Sequence, residues 1–195
     1  MMDVRKLLKA CRHLDHDRSA IYSANPATGI LFITENNPSF ISGHVRMRGR
    51  DQGRYPYKYL EMLESLFGPE QNTIEVCSRS VSDCFSVDIN PECKPMLVAD
   101  GQKLEEIADN SFARWRCDPP YNHKTAKEMY NTSLPDTCKL LKAGARVCNS
   151  GSLMFLLLGP QNYQSHPKGV KRIGFVAITV VPNNELRALN IYYKF

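Results

Sequence analysis

The chain has 195 residues, a length that favours one domain with an appendage, and 43% of them are hydrophobic, enough for a proper core. Its longest apolar run, residues 153–158, is far short of the ~18 residues a bilayer span needs, and the charged stretch 1–17 does not read as a secretory signal. Seven cysteines without any Cys-x-x-Cys spacing fit reduced, cytoplasmic thiols better than a disulfide framework, and the net charge of +5 is a modest basic excess.

Residues 1–20 read as a polar amphipathic helix, with Val4, Leu7, Leu8 and Cys11 at helical spacing. Cys11, His13 and His16 have the chemistry of metal ligands, but no fourth partner is evident, and a solvated helix face is the preferred reading; no metal is expected. Runs 29–34 and 40–47 are apolar and rich in strand formers. They flank Glu35-Asn36-Asn37-Pro38-Ser39, a turn, and together predict a β-hairpin. A basic run follows: Arg46, Arg48, Arg50, Arg54 and Lys58, against Asp51 alone, with Tyr55, Tyr57 and Tyr59 alternating at its end. Such a run suits a surface for phosphates and stacked bases, and equally a solubilising strand face that leads into a helix. Residues 57–67 carry Tyr59, Leu60, Leu63, Leu66 and Phe67 on one face and stop at Gly68-Pro69, which predicts a helix.

Short apolar runs come next, at 73–77, 85–89, 96–99 and 113–117, each followed by a polar or acidic residue. Residues 124–131 and 134–142 look helical, the second closed by Ala143-Gly144. A fifth strand begins at 146–148. Runs 174–181 and 186–193 form a hairpin around Pro182-Asn183-Asn184-Glu185. Strands that alternate with helices and end in an antiparallel hairpin predict an α/β chain whose sheet is mostly parallel, with one reversed strand.

The chemistry concentrates at Asp118-Pro119-Pro120-Tyr121, where a predicted strand ends. A carboxylate and a backbone carbonyl can accept both N–H bonds of a flat amino group, an aromatic ring can stack on the plane that carries it, and two prolines keep the backbone extended so the acceptors stay aimed. Glu75, Asp88, Asp100 and Asp118 all fall at or just after predicted strand ends. In open α/β sheets that rim is where ligands bind. One such acid alone reads as a loop carboxylate capping a helix; four in succession point to a site.

The tetrapeptide resembles that of S-adenosylmethionine-dependent amino-methyltransferases, the group that includes adenine-N6 and cytosine-N4 enzymes. From about residue 55 onward further pieces resemble the class I methyltransferase pattern in the right order. Glu75-Val76-Cys77-Ser78-Arg79-Ser80-Val81 stands where the family has an acid and a Gly-x-Gly loop. Val87-Asp88-Ile89-Asn90-Pro91 resembles the second-strand end, and Ala99-Asp100-Gly101-Gln102-Lys103-Leu104 the third. Asn110-Ser111-Phe112 resembles the lead-in to the fourth, and 140–147 the junction of helix and fifth strand. The resemblance implies a Rossmann-like methyltransferase domain over 55–195, with residues 1–54 as a helix and hairpin extension. It implies S-adenosyl-L-methionine as cofactor, held by Glu75, Cys77, Ser78, Asp88, Ile89, Asp100, Gly101 and Asp118. It implies Asp118, Pro119, Pro120 and Tyr121 as the catalytic group, with Tyr121 stacking on the substrate plane. Substrate contacts are expected from Arg46, Arg48, Arg50, Arg54, Tyr55 and Asn122; His123 is expected to be solvated.

Two departures stand out. Arg79 and Val81 occupy glycine positions, so an arginine either fills the slot or swings aside. The first two strand connections are also too short for helical crossovers, which need about a dozen residues. The hairpin and helix before residue 68 are the candidates to cover the face left bare. The activity implied is methylation of an exocyclic amino group, most simply on a nucleic-acid base, DNA or RNA being undecided; a protein amide or a small heteroaromatic amine is also open. The alternative is a non-catalytic methyltransferase-like subunit that binds nucleic acid or a partner.

Overall fold

The computed structural model describes residues 21–23, 30–33, 41–48, 55–69, 72–79, 81, 83–160, 166–181 and 185–195. The expected helix over 1–20, Cys11, His13, His16, Arg50 and Arg54 lie outside these residues. The strands are β1 (Ile21–Ser23), β2 (Ile30–Ile33), β3 (Ile41–Arg48), β4 (Thr73–Val76), β5 (Phe85–Asp88), β6 (Leu97–Val98), β7 (Phe112–Cys117), β8 (Cys148–Leu158), β9 (Val170–Val181) and β10 (Glu185–Lys194). The helices are α1 (Tyr59–Phe67), α2 (His123–Tyr130) and α3 (Thr137–Val147), with a 3-10 turn at Pro91–Cys93.

All ten strands join one sheet in the order β1-β2-β3-β9-β10-β8-β7-β4-β5-β6. From β6 to β8 the pairings are parallel, and β10 runs against both β8 and β9. This is the expected parallel sheet with a reversed C-terminal strand. Period-two alternation explains why its centre is covered on both faces. On β8, Leu153, Phe155 and Leu157 enter one core with α1, while Met154, Leu156 and Leu158 enter the other with α3.

The connections bear out the shortness read from the sequence. Among the described residues no α-helix links β4 to β5, and β5 reaches β6 through the 3-10 turn alone. The third crossover, 99–111, is also built of turns. It is pinned from α3: Arg146 Nη1 donates to the Ile107 carbonyl at 2.8 Å and pairs with Asp109 at 2.5 Å, and Nη2 donates to the Leu104 carbonyl at 2.6 Å. Leu104 and Ile107 add apolar anchors to the α3-side core.

Three expectations are corrected. The N-terminal hairpin does not cover the bare face; β3 pairs in parallel with β9 and so extends the opposite edge of the sheet, and β1 adds a strand not anticipated. Helix α1 packs over β8, β9 and β10, not over β4 and β5. Helix α3 does not close at Gly144 but runs to Val147. Gly144 is there for close approach: a Cβ would stand 2.7 Å from the Trp115 ring, which is fully buried.

Candidate active site

The loops that follow β4, β5, β6 and β7 leave the carboxyl ends of parallel strands and meet around one cavity of about 540 Å³. That volume lies in the range of small-molecule sites, roughly 300–1,000 Å³. Cys77, Ser78, Asp88, Ile89, Asp100 and Gly101 line it, and so do Asp118 and Pro120. The structure thus brings seven of the eight expected cofactor residues to one space.

The loop after β4 keeps a glycine-like path without glycine. Cys77 (φ 57°) and Arg79 (φ 46°) are both left-handed, a region that costs an ordinary residue roughly 1–2 kcal/mol. Hydrogen bonds hold it there. The Ser78 N–H donates to the Val87 carbonyl at 3.1 Å, and the Arg79 N–H donates to Asp88 Oδ2 at 2.9 Å. The guanidinium of Arg79 lies over the Tyr130 ring, 5.5 Å from its centroid, on the cavity wall.

Asp88 accepts from Arg79 at Oδ2 and from the Asn90 N–H at Oδ1, 2.9 Å each. A carboxylate has about four lone-pair sites, so two backbone donors leave room for hydroxyl donors from a ligand. At Asp100 both bonds fall on Oδ1, from the Gln102 N–H (2.9 Å) and its side-chain amide (3.2 Å). Gly101 must be glycine, since a Cβ would stand 2.3 Å from Val76 Cγ1 and 3.3 Å from Leu140 Cδ2. Ile89, Ala99 and Leu140 supply apolar wall near these acids. The donor set suits a nucleoside: acceptors for hydroxyls beside apolar surface for a flat ring.

In the tetrapeptide, Pro119 is buried and Pro120 faces the cavity with Asp118. Tyr121 folds back, and its hydroxyl donates to Asp118 Oδ1. The Arg187 guanidinium, from β10, covers the Tyr121 ring at 5.2 Å from the centroid. Burial pushes the Asp118 carboxyl up to about 6, against the pull of the Arg187 charge and the Tyr121 hydrogen bond; Glu185 adds to the rise.

Glu75 does not line the cavity. It is fully buried against Arg116, whose Nε lies 2.5 Å from Glu75 Oε2, and it accepts from the Tyr55 hydroxyl. The cause is register: Glu75 stands opposite Arg116 in the parallel β4–β7 pair, on the same face. Burial pushes the Glu75 carboxyl up to about 7, with Arg116 and Tyr55 opposing. Tyr55 lines the cavity and stacks on Tyr59, ring centroids 4.4 Å apart. Arg46 and Arg48 fall on β3, at the far side of the sheet order from β4 to β7. Asn122 caps α2, accepting from the Thr125 N–H at 2.7 Å, and His123 is exposed beside it. Three residues of the site carried no sequence signal. Tyr130 shares the cavity wall with Arg79, Arg116 neutralises Glu75, and Arg187 meets Tyr121. Arg187 stands far along the chain on a different strand, and only the fold joins it to the tetrapeptide.

No protein-family model matches the sequence, and no curated protein matches it. The chain is similar to solved structures. With TrmN from Thermus thermophilus it shares 12% identity at a TM-score of 0.56, over 74% of this chain and 50% of that one, so it spans half the length of that protein. A putative methylase from Haemophilus influenzae aligns at 7% identity and a TM-score of 0.42, over 70% of this chain and 85% of that one. The antibiotic-resistance methyltransferase Kmr aligns at 12% identity and 0.40, over 73% and 96%. The likeness to TrmN shows the fold, an open Rossmann-like α/β sheet with a reversed C-terminal strand.

Proposed function

We propose that the chain is an S-adenosylmethionine-dependent N-methyltransferase acting on an exocyclic amino group of a nucleic-acid base. One observation carries this reading: Asp88, Asp100 and Gly101 open into the same cavity as Asp118 and Pro120. Acceptors suited to a nucleoside and an acceptor suited to an amine share one space. Asp88 would hold ribose hydroxyls, Asp100 the adenine side, and Ile89, Ala99 and Leu140 would pack on the flat ring. The cofactor's sulfonium supplies the methyl group. The work of the protein is positioning. Asp118 and the Pro119 carbonyl accept the two amino hydrogens and favour a pyramidal nitrogen whose lone pair is free to attack. Tyr55 and Tyr57 at the cavity offer stacking surface, and Lys58 beside them offers charge for a phosphate.

A second reading, a binding subunit without turnover, draws on Arg79 in the glycine position and on the Tyr121 hydroxyl already placed on Asp118. Calorimetry with S-adenosylhomocysteine and transfer of a labelled methyl group to separate RNA and DNA pools tell the two apart. Micromolar binding with label in one pool, abolished by Asp118→Ala, supports the enzyme. Nucleic-acid binding with neither cofactor affinity nor label would favour the second reading.

A further inference from the structure

We infer that Tyr121 is a displaceable latch on Asp118, set by Arg187: its hydroxyl occupies the carboxylate oxygen that the substrate amine takes over. Asp118 Oδ1 receives the Tyr121 hydroxyl within the tetrapeptide itself, and one face of that ring lies under Arg187. Arg187 is in turn held from behind by Glu185, with Nη2 3.5 Å from Oε2, and its side chain is 17% exposed. Tyr121 does not line the cavity, and one face of its ring lies under Arg187, so the ring is not set to stack on a substrate base, the role the tetrapeptide resemblance implies for it. The arrangement instead answers a cost. A half-buried carboxylate is better held where a donor reaches it, and the ionised form is the stronger acceptor for an amine. The Tyr121 hydroxyl supplies that donor while the cavity holds no substrate. An amino N–H is a donor of the same kind, so replacing one by the other exchanges a hydrogen bond and leaves no orphan.

Among the described residues, the charged and titratable groups that act on Asp118 include the neighbouring Cys117 thiol of β7. Arg187 and Glu185 come from β10, and Tyr121 from its own loop. Tyr55 and Tyr59 come from the α1 segment, Glu75 from β4, and Tyr130 from α2. Among these Arg187 is the cation that acts most directly on Asp118. It is a positioning residue, since it acts on the reacting group through Tyr121 and through its field.

The identity of the displacing donor rests on the proposed methylation, whereas the latch itself does not. Two variants test it. Tyr121→Phe keeps the ring under Arg187 and deletes only the hydroxyl; Arg187→Gln deletes the cation. In the protein without substrate, the Asp118 carboxyl is followed by carbon-detected NMR against pH. Both variants are expected to titrate at higher pH than the native protein, because each removes an influence that favours the carboxylate. In turnover, Tyr121→Phe is expected to lower the substrate KM about three- to tenfold, since the competing donor is gone, and to move the acid limb of kcat/KM upward in pH. An unchanged Asp118 titration in Tyr121→Phe, or an unchanged or raised KM, overturns the latch. Full activity in Asp118→Ala sinks the methylation reading instead, and the NMR titration still decides the latch.

Discussion

The strongest quantitative test of the fold beneath the site is the buried pair on β4 and β7. Arg116 has no exposed side-chain surface and Glu75 has 1%. Their contact is 2.5 Å, and Arg116 also reaches Cys84 Sγ at 3.1 Å in the loop that replaces the first crossover helix. Asp83 lies 3.6 Å away but is 54% exposed, so solvent screens its contribution to at most about 1 kcal/mol. The substitution Arg116→Met therefore strips a fully buried carboxylate of its cation and leaves it the Tyr55 hydroxyl alone, a loss of about 3–5 kcal/mol. For a chain of this size that lowers Tm by roughly 6–20 °C. The pH dependence has a definite sign. Glu75 titrates near 7 in the folded protein, raised by burial from an ordinary 4.5, so its contribution to stability is full below about 4.5 and is lost as pH rises through 7. Removing Arg116 raises that value further. The variant then goes on losing stability above pH 7 where the native protein has levelled off, and the gap between them widens from pH 6 to pH 9. The double variant Glu75→Leu/Arg116→Met replaces the pair by apolar volume and is expected to recover most of the loss. Denaturant unfolding of the native protein, Arg116→Met, Glu75→Leu and the double variant at pH 6 and pH 9 measures all of this. Single variants within 1 kcal/mol of native, or a gap that narrows with pH, would refute the reading that Glu75 and Arg116 join β4 to β7 as a desolvated pair.

Three further outcomes are expected. Gly101→Ala drives a methyl against Val76 Cγ1, 2.3 Å away on a fully buried strand end; calorimetry should show S-adenosylhomocysteine binding lost or sharply weakened and unfolding easier by about 1–3 kcal/mol. Arg146→Ala removes the donors that pin 103–109, at about 2 kcal/mol or more, and hydrogen exchange should show protection lost in that segment first. The pH profile of kcat/KM should rise through an apparent value of about 6 as Asp118 ionises, with activity present above that pH and lost below it.

The elements were legible in the sequence wherever one residue type repeats with a clear period. The apolar run 153–158, the apolar face of Tyr59, Leu63, Leu66 and Phe67, and the acids Asp88, Asp100 and Asp118 after successive strands survive in the fold. What could not be read depends on pairings between distant strands. Glu75 looks in the sequence like its neighbours in the series, an acid near a strand end, yet the β4–β7 register turns it to Arg116 and away from the cavity. Gly144 reads as a helix stop, and only Trp115 shows that it serves close packing. The hairpin at 30–33 and 41–48 was visible as a hairpin, but its docking edge on β9 was not, because edge choice is a property of the whole sheet.

The loss of glycine after β4 has a structural answer. A Gly-x-Gly loop reaches left-handed angles at no steric cost; here Cys77 and Arg79 reach them against one. Such angles persist only when the surroundings over-determine them. Ser78 is tied to the Val87 carbonyl, and Arg79 to the carboxylate of Asp88, so β5 imposes the path that glycine would otherwise permit. With the backbone fixed, the Arg79 side chain is free to leave the loop axis, and it lies on Tyr130 at the wall. Asp88 then has two duties: its Oδ2 shapes the loop, and the residue lines the cavity. Its loss should loosen the loop as well as the ligand, so Asp88→Ala is expected to lower Tm in the absence of any cofactor. An acid serving the ligand alone would leave that Tm unchanged.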